Sequence, residues 1–244
     1  MEVVTEIWHR ATAVQPAPAP GLVGAIAVLG LVLVLYHRCW PITRLLVTIT
    51  HEGAHAVAAV LVGRRLSGIR LNSDTSGLTV SRGKPRGPGM IVMLAVGYLG
   101  PALAGLGAAW LLSAGRSVGL LWLLVVLLSL MLLMIRNFYG VLVLLVAGGA
   151  VFAISWYLTP GWQSAVAYLI TWVLLIAAPK PVVELIMQRR QGRDHGSDVA
   201  QLARLTRVPG AVWLGLFLLC SLAGLALGTA VLLPSLIALF RPMF

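Results

Sequence analysis

The sequence predicts an all-α polytopic membrane protein with about seven transmembrane helices and a short membrane-associated β-hairpin. Hydrophobic residues make up 59% of the 244 residues and charged residues only 10%, and the mean hydropathy is +0.96. A soluble domain carries roughly 25% charged residues, so this chain cannot cover a water-facing surface. In addition, apolar runs recur along the chain, each near the ~20 residues that cross the hydrocarbon core.

The apolar runs divide the chain into a short amino-terminal segment and one membrane domain. Residues 1–20 are predicted to be a head and Pro-rich linker, and residues 21–240 a single transmembrane domain with a short tail to residue 244. Two basic connections are expected at about 63–89 and 179–208. The expected spans are 21–36, 42–62, 90–112, 118–135, 138–158, 161–178 and 209–233.

The basic residues orient this arrangement. With seven spans, the amino terminus and every second connection share one side, which then holds Arg10, Arg136 and the basic residues of 63–89 and 179–208. The other side holds Arg38, Arg44, Arg116 and Arg241. The positive-inside rule makes the richer side, and with it the amino terminus, cytoplasmic. No nucleic-acid motif is present, so the basic residues indicate contact with the lipid bilayer. The compact form and the absence of targeting signals suggest a bacterial plasma membrane.

The first basic connection is unusual, because parts of it resemble strands. Residues 66–71 and 77–81 alternate or carry β-branched side chains, and residues 72–76 have turn chemistry. We expect a β-hairpin near the cytoplasmic face. An irregular loop is the alternative.

The second apolar helix carries an H-E-x-x-H motif. His51 and His55 are four residues apart, so both imidazoles project from one helical face and can reach the same zinc ion. Glu52 can act as general base on a zinc-activated water. Ionisable side chains about ten residues inside an apolar helix cost several kcal/mol and usually face a functional cavity. The alternative is a polar cluster that joins helices.

These residues resemble the site-2 protease family, and most closely its compact bacterial M50B-like branch. The resemblance rests on the zinc motif, on Gly97–Pro101 (Gly-Tyr-Leu-Gly-Pro) and on residues 196–203 with Thr206, Pro209 and Trp213. It implies cleavage of a membrane-embedded or membrane-tethered protein, which the β-element captures as an added strand. Leu78 and Val80 of the hairpin are then expected to contact substrate.

The third zinc ligand has several candidates in the sequence, because the Asp-Gly motif that supplies it in site-2 proteases is missing. Asp198 is the first candidate, preceded by Ser197, which can cap a helix. It reaches a membrane-embedded zinc only if its connection folds back into the bundle. Glu184, Asp194 and His195 are the alternatives.

Asn137 is a candidate for binding a substrate carbonyl or the oxyanion, and a helix-end cap is the alternative. The sequence therefore favours an intramembrane zinc endopeptidase, acting alone, as a homo-oligomer or in a membrane complex. A catalytically inactive membrane scaffold of the same family is the main alternative. A channel or transporter is a third, but the sequence shows no convincing internal repeat.

Overall fold

The computed structural model describes residues 1–194 and 196–234. His195 and the tail beyond residue 234 lie outside the described residues. Within them the chain forms ten helices and one two-stranded sheet. The elements are α1 (Glu2–Thr12), α2 (Pro20–Leu35), α3 (Trp40–Leu61), β1 (Arg65–Leu71), β2 (Gly77–Arg82), α4 (Pro88–Ser113), α5 (Ser117–Met134), α6 (Phe138–Tyr157), α7 (Pro160–Ala177), α8 (Pro179–Arg190), α9 (Asp198–Thr206) and α10 (Gly210–Leu232).

Proline marks the start of several of these helices. α2, α3, α4, α7 and α8 each carry a proline at the first or second helical position. The fixed φ of proline suits that position, and its missing N–H costs no helical hydrogen bond there. The Pro-rich linker therefore ends where α2 begins. The head before it contains α1, a helix that the sequence analysis did not predict.

Among the described residues, five helices are long and apolar enough to cross a membrane, and one bent pair of helices could form a sixth span. The five are α4, α5, α6, α7 continued into α8, and α10. α2 and α3 qualify only as a pair, and they are bent by 98° at the break between them. Seven separate spans are therefore not confirmed. The physical reason is that α2 has only 16 residues, too few to cross the hydrocarbon core alone.

The bend places the amino terminus and the hairpin at opposite ends of the bundle. At the start of α5, the Gln15 N–H donates to the Gly115 carbonyl, and Arg10 donates to the Trp156 carbonyl at the end of α6. At the other end of α5, Ile69 of β1 forms a parallel bridge with Ile135. The seven-span expectation put both segments on one side. Counting α2 and α3 as one bent span separates them.

The predicted hairpin is confirmed. β1 and β2 pair antiparallel, with Leu71 opposite Gly77 and a bulge between Leu66 and Gly68. The outer edge of β1 is covered, because the Arg136 N–H donates to the Ile69 carbonyl. β2 runs along α3 and forms the exposed edge of the sheet.

The second basic connection folds back onto the bundle. α8 continues the direction of the α7 span, and α9 packs against α4 and α10. Val199 and Leu202 of α9 are fully buried beside Leu94 of α4 and Phe217 of α10. This packing brings the start of α9 next to α3.

Candidate metal centre

Helix α3 carries the three residues of the H-E-x-x-H motif into the protein interior. Glu52 and His55 are buried, with 4% and 5% of their surface exposed, and His51 is half-buried. The two histidines are one helical turn apart and their rings meet edge to face at 4.6 Å. The helix therefore supplies two imidazoles and one carboxylate to the same cavity.

Asp198 comes from the other side of this cavity. It is the first residue of α9, and Ser197 caps that helix by accepting a hydrogen bond from the Ala200 N–H. The cap by Ser197 matches the sequence prediction and leaves the Asp198 carboxylate free of that role. The connection folds back into the bundle, as this ligand requires.

The three donor atoms are spaced as zinc ligands are. Oδ2 of Asp198 lies 3.2 Å from Nε2 of His51 and 3.1 Å from Nε2 of His55, and the two nitrogens are 3.0 Å apart. Zinc bonds of about 2.0–2.1 Å place neighbouring tetrahedral ligands about 3.3 Å apart. Two imidazoles and one carboxylate also form a ligand set that zinc accepts with one position left open. The residues present therefore fit a catalytic zinc ion.

The charge state of Asp198 suits metal binding. Burial alone would raise the pKa of Asp198, but hydrogen bonds from the His51 and His55 rings outweigh it and hold this pKa below its ordinary value. The side chain is therefore a carboxylate at neutral pH, the form that binds a metal.

Helix α4 orients the histidines through its backbone. Nδ1 of His55 donates to the Met93 carbonyl at 2.7 Å and so turns Nε2 toward Asp198, and a bound metal would take the place of the Nε2 proton in that hydrogen bond. At Gly97, a Cβ would lie 2.4 Å from Nε2 of His55 and 2.8 Å from Cε1 of His51. Only glycine leaves space for both rings there. Gly97 is part of the family resemblance, but its contact with the two rings was not predicted from sequence. A backbone carbonyl such as that of Met93 leaves no sequence signal.

The cluster lies in a cleft of about 460 Å³. Its walls are α3, β2, and the starts of α4 and α9. Leu78 and Val80, the predicted substrate contacts, both line it, and more than 40% of each side chain is exposed. A polypeptide entering the cleft would therefore meet β2 and the three donor atoms together.

β2 also touches the motif directly. Thr79 Oγ1 donates to Glu52 Oε2 at 2.6 Å, and a Cβ at Gly77 would lie 2.5 Å from the Glu52 side chain. The strand thus lies against the carboxylate and fixes one of its oxygens. Sequence reasoning missed Thr79, since the contact depends on how the hairpin docks.

The edge of β2 that faces away from β1 offers free backbone groups. The Asn72 N–H donates to the Ser76 carbonyl at 2.9 Å, which makes this a hydrogen-bonded pair. Such pairs alternate along an antiparallel ladder, so Gly77 and Thr79 point their N–H and C=O groups outward. Among the described residues, none hydrogen-bonds these outward groups. An extended peptide can pair with them.

The other candidate ligands are engaged elsewhere. Glu184 accepts a hydrogen bond from Trp40 Nε1 at 2.7 Å and lies 3.5 Å from Arg44. Asp194 pairs with Arg189 at 2.5 Å, and His195 lies outside the described residues. Of the residues described, only His51, His55 and Asp198 form a group that could hold a metal ion.

Asn137 lies at the hairpin and is not among the residues that line the cleft. Its Oδ1 accepts from the Leu71 N–H at 3.2 Å, and its Nδ2 donates to the Leu71 carbonyl at 2.6 Å. It forms no side-chain cap of α6. Its amide is thus occupied by β1, and the substrate contact stays a prediction.

Comparison with known families gives a match over most of the chain. The model of the family described as Peptidase M50B-like matches residues 24–228. This range includes the H-E-x-x-H motif, the hairpin and Asp198. Comparison with curated proteins and with solved structures gives no significant match.

Proposed function

Because the chain belongs to the Peptidase M50B-like family and is a membrane protein with several apolar helices, we propose that it is an intramembrane zinc metalloendopeptidase. One observation carries the proposal: His51, His55 and Asp198 converge from two helices beside the buried Glu52. The substrate would be a membrane-spanning or membrane-tethered protein. We propose the plasma membrane of a bacterium as its location.

Each residue of the site would have a separate role in peptide hydrolysis. His51, His55 and Asp198 would hold the metal. Bound zinc would supply Lewis acidity, making a water molecule more acidic and the substrate carbonyl more electrophilic. Glu52 would accept a proton from the attacking water and return it to the leaving amine. The hydrogen bond from Thr79 holds one Glu52 oxygen, so the other is available for the proton.

Substrate binding is assigned to the outer edge of β2. A transmembrane helix hides its peptide bonds, so the substrate must unwind before it is cleaved. The free backbone groups of Gly77 and Thr79 can pair with the unwound segment, and Leu78 and Val80 contact its side chains. Because β2 touches Glu52, this pairing delivers a peptide bond next to the general base.

Zinc content of the purified full-length protein in detergent tests the metal centre. We expect about one zinc per chain in the wild type and in Glu52→Gln, and a loss of zinc in His51→Ala and Asp198→Ala. Glu184→Ala is the matched control and should keep its zinc. Zinc retained by Asp198→Ala would contradict the third ligand, and a wild type that binds no zinc would contradict the peptidase.

Hydrolysis separates the peptidase from the inactive scaffold. In proteoliposomes, a single-span reporter with glycines in its membrane segment should be cut by the wild type. Glu52→Gln, which keeps its zinc, should cut it at least about a hundredfold more slowly. A wild type that binds zinc but shows no hydrolysis beyond Glu52→Gln would favour the scaffold.

A further inference from the structure

A second pocket adjoins the metal cleft and is strongly basic. Its volume is about 490 Å³, and its charged lining consists of Arg86, Arg204 and Arg207. Arg86 precedes α4, and the other two arginines lie at the end of α9. The pocket therefore opens where α4 and α10 begin, at the end of the bundle that holds the hairpin.

Within the part of the chain that the structure describes, the three arginines have no acidic partner. None of the seven Asp and Glu side chains, all of which are described, lies within ion-pair distance of them. Their guanidinium groups also make no side-chain hydrogen bond to a described residue, and all three residues are exposed. Three unpaired like charges around one pocket repel one another, and an anionic ligand would relieve this repulsion.

Arg207 adds an independent observation. It has φ 60° and ψ 11°, the left-handed conformation at the end of α9. Glycine or asparagine is the usual residue at that position, because a side chain raises the energy of this conformation. An arginine there bears this backbone cost, and its side chain forms no ion pair with a described acidic residue. A role for its charge in binding would explain it.

The position of the pocket identifies the source of the anion. Met90 and Gln201 line both the basic pocket and the metal cleft, so the two cavities share a wall. A polypeptide that lies along β2 in the cleft can continue into the basic pocket. A lipid head group would not need this continuity. The shared wall therefore favours the substrate over the bilayer.

We propose that Arg86, Arg204 and Arg207 form a specificity site that binds an acidic segment of the substrate, rich in Asp or Glu and adjacent to the cleaved bond. This inference rests on the proposed function, because it takes the metal cleft as the place of cleavage. Arginine suits the task, since its guanidinium group binds carboxylates through paired hydrogen bonds.

Peptide binding to the full chain in neutral-lipid nanodiscs tests the site. The protein carries Glu52→Gln, so hydrolysis is not needed. The probes are a fluorescent glutamate-rich peptide and the same peptide with glutamine in place of glutamate. We expect tighter binding of the acidic peptide, weakened about fivefold by Arg204→Gln and by Arg207→Gly, and weakened further by salt.

Two features of the variants exclude unfolding as the cause of weaker binding of the acidic peptide. Arg207→Gly relieves the left-handed backbone, so its melting temperature should be equal to or higher than that of the parent. Arg193→Gln removes an exposed charge from the same connection but lines neither cavity. It should bind both peptides as the parent does.

The outcomes are distinct. Equal binding of the two peptides, or an equal loss in Arg193→Gln, would overturn the proposal. Variants that bind peptide normally but lose a preference for phosphatidylglycerol nanodiscs would overturn it in favour of a lipid site. Arginine-dependent binding in a protein whose wild type cuts no reporter would uphold the acidic-peptide site and contradict only the proposed function.

Discussion

Gly97 is the residue at which the metal centre tolerates least change. A Cβ there would lie 2.4 Å and 2.5 Å from Nε2 and Cε1 of His55, well inside van der Waals contact. We therefore expect Gly97→Ala to push the His55 ring out of position and to weaken zinc affinity at least about tenfold, as loss of ligand positioning does. Titration of the purified apoprotein with zinc measures it.

The same helix provides a matched control. Gly107 also lies inside α4, but a Cβ there would meet no atom within 4 Å. Gly107→Ala makes the same chemical change and should stabilise the helix by up to about 1 kcal/mol without altering zinc affinity. Unchanged zinc affinity in Gly97→Ala would show that the rings can move aside and would contradict the close packing.

At this scale, what could be predicted from sequence depends on separation along the chain. His51, Glu52 and His55 follow from helical spacing alone. Asp198 lies 143 residues from His55, and its connection reads as polar, so sequence reasoning left Glu184 and Asp194 open beside it. The pairing of Asp194 with Arg189 could not be predicted from sequence either, because it depends on how the chain folds back after α8.

At the scale of elements, the hairpin depends on one side chain from the α5–α6 connection. Asn137 makes two hydrogen bonds to the backbone of Leu71. Asn137→Ala leaves both groups without this partner, which should destabilise the docked hairpin by about 2 kcal/mol. We expect faster hydrogen exchange across 65–82 and a raised KM for the reporter, with zinc content unchanged.

Ser129→Ala is the control for this prediction. It removes a hydroxyl of α5 that bonds only within its own helix, to the Val125 carbonyl. Hydrogen exchange in the hairpin should not respond to it. Slow exchange across 65–82 in Asn137→Ala would show that Asn137 does not hold β1, and would leave it free for the predicted substrate contact.

The helices also show which elements can be predicted from hydropathy. α4, α5, α6 and α10 lie close to their predicted ranges, because long apolar runs have few alternatives in a membrane. α1 escaped prediction because it is short and polar, and α8 because it lies in a connection rich in charge. The break between α2 and α3 could not be located as a bend. Two apolar runs separated by a short polar stretch look the same whether they cross separately or together.

The bend between α2 and α3 affects the orientation expected for the whole molecule in the membrane. α1 and the hairpin lie at opposite ends of α5, which is the arrangement expected if α2 and α3 together form one bent span. The basic residues of 63–89, of position 136 and of 189–207 then share the hairpin end, while Arg10 and Arg116 lie at the other. From the positive-inside rule we expect the hairpin end to be cytoplasmic and the amino terminus to lie outside. This reverses the orientation expected for the amino terminus from seven spans.

Single-cysteine labelling distinguishes the two arrangements. In a chain whose Cys39 and Cys220 are replaced by serine, Ser73→Cys marks the hairpin turn and Ala13→Cys marks the end of α1, both at exposed positions. With an impermeant maleimide added to intact bacterial spheroplasts, we expect Ala13→Cys to react at once. Ser73→Cys should react only after lysis, because the bilayer separates it from the reagent.

If both cysteines are protected until lysis, α2 and α3 cross separately, and the metal centre then lies on a full span instead of the second half of a broken one. If only Ser73→Cys reacts in intact cells, the basic end faces outward, and an acidic substrate segment would have to be sought on the outer face of the membrane.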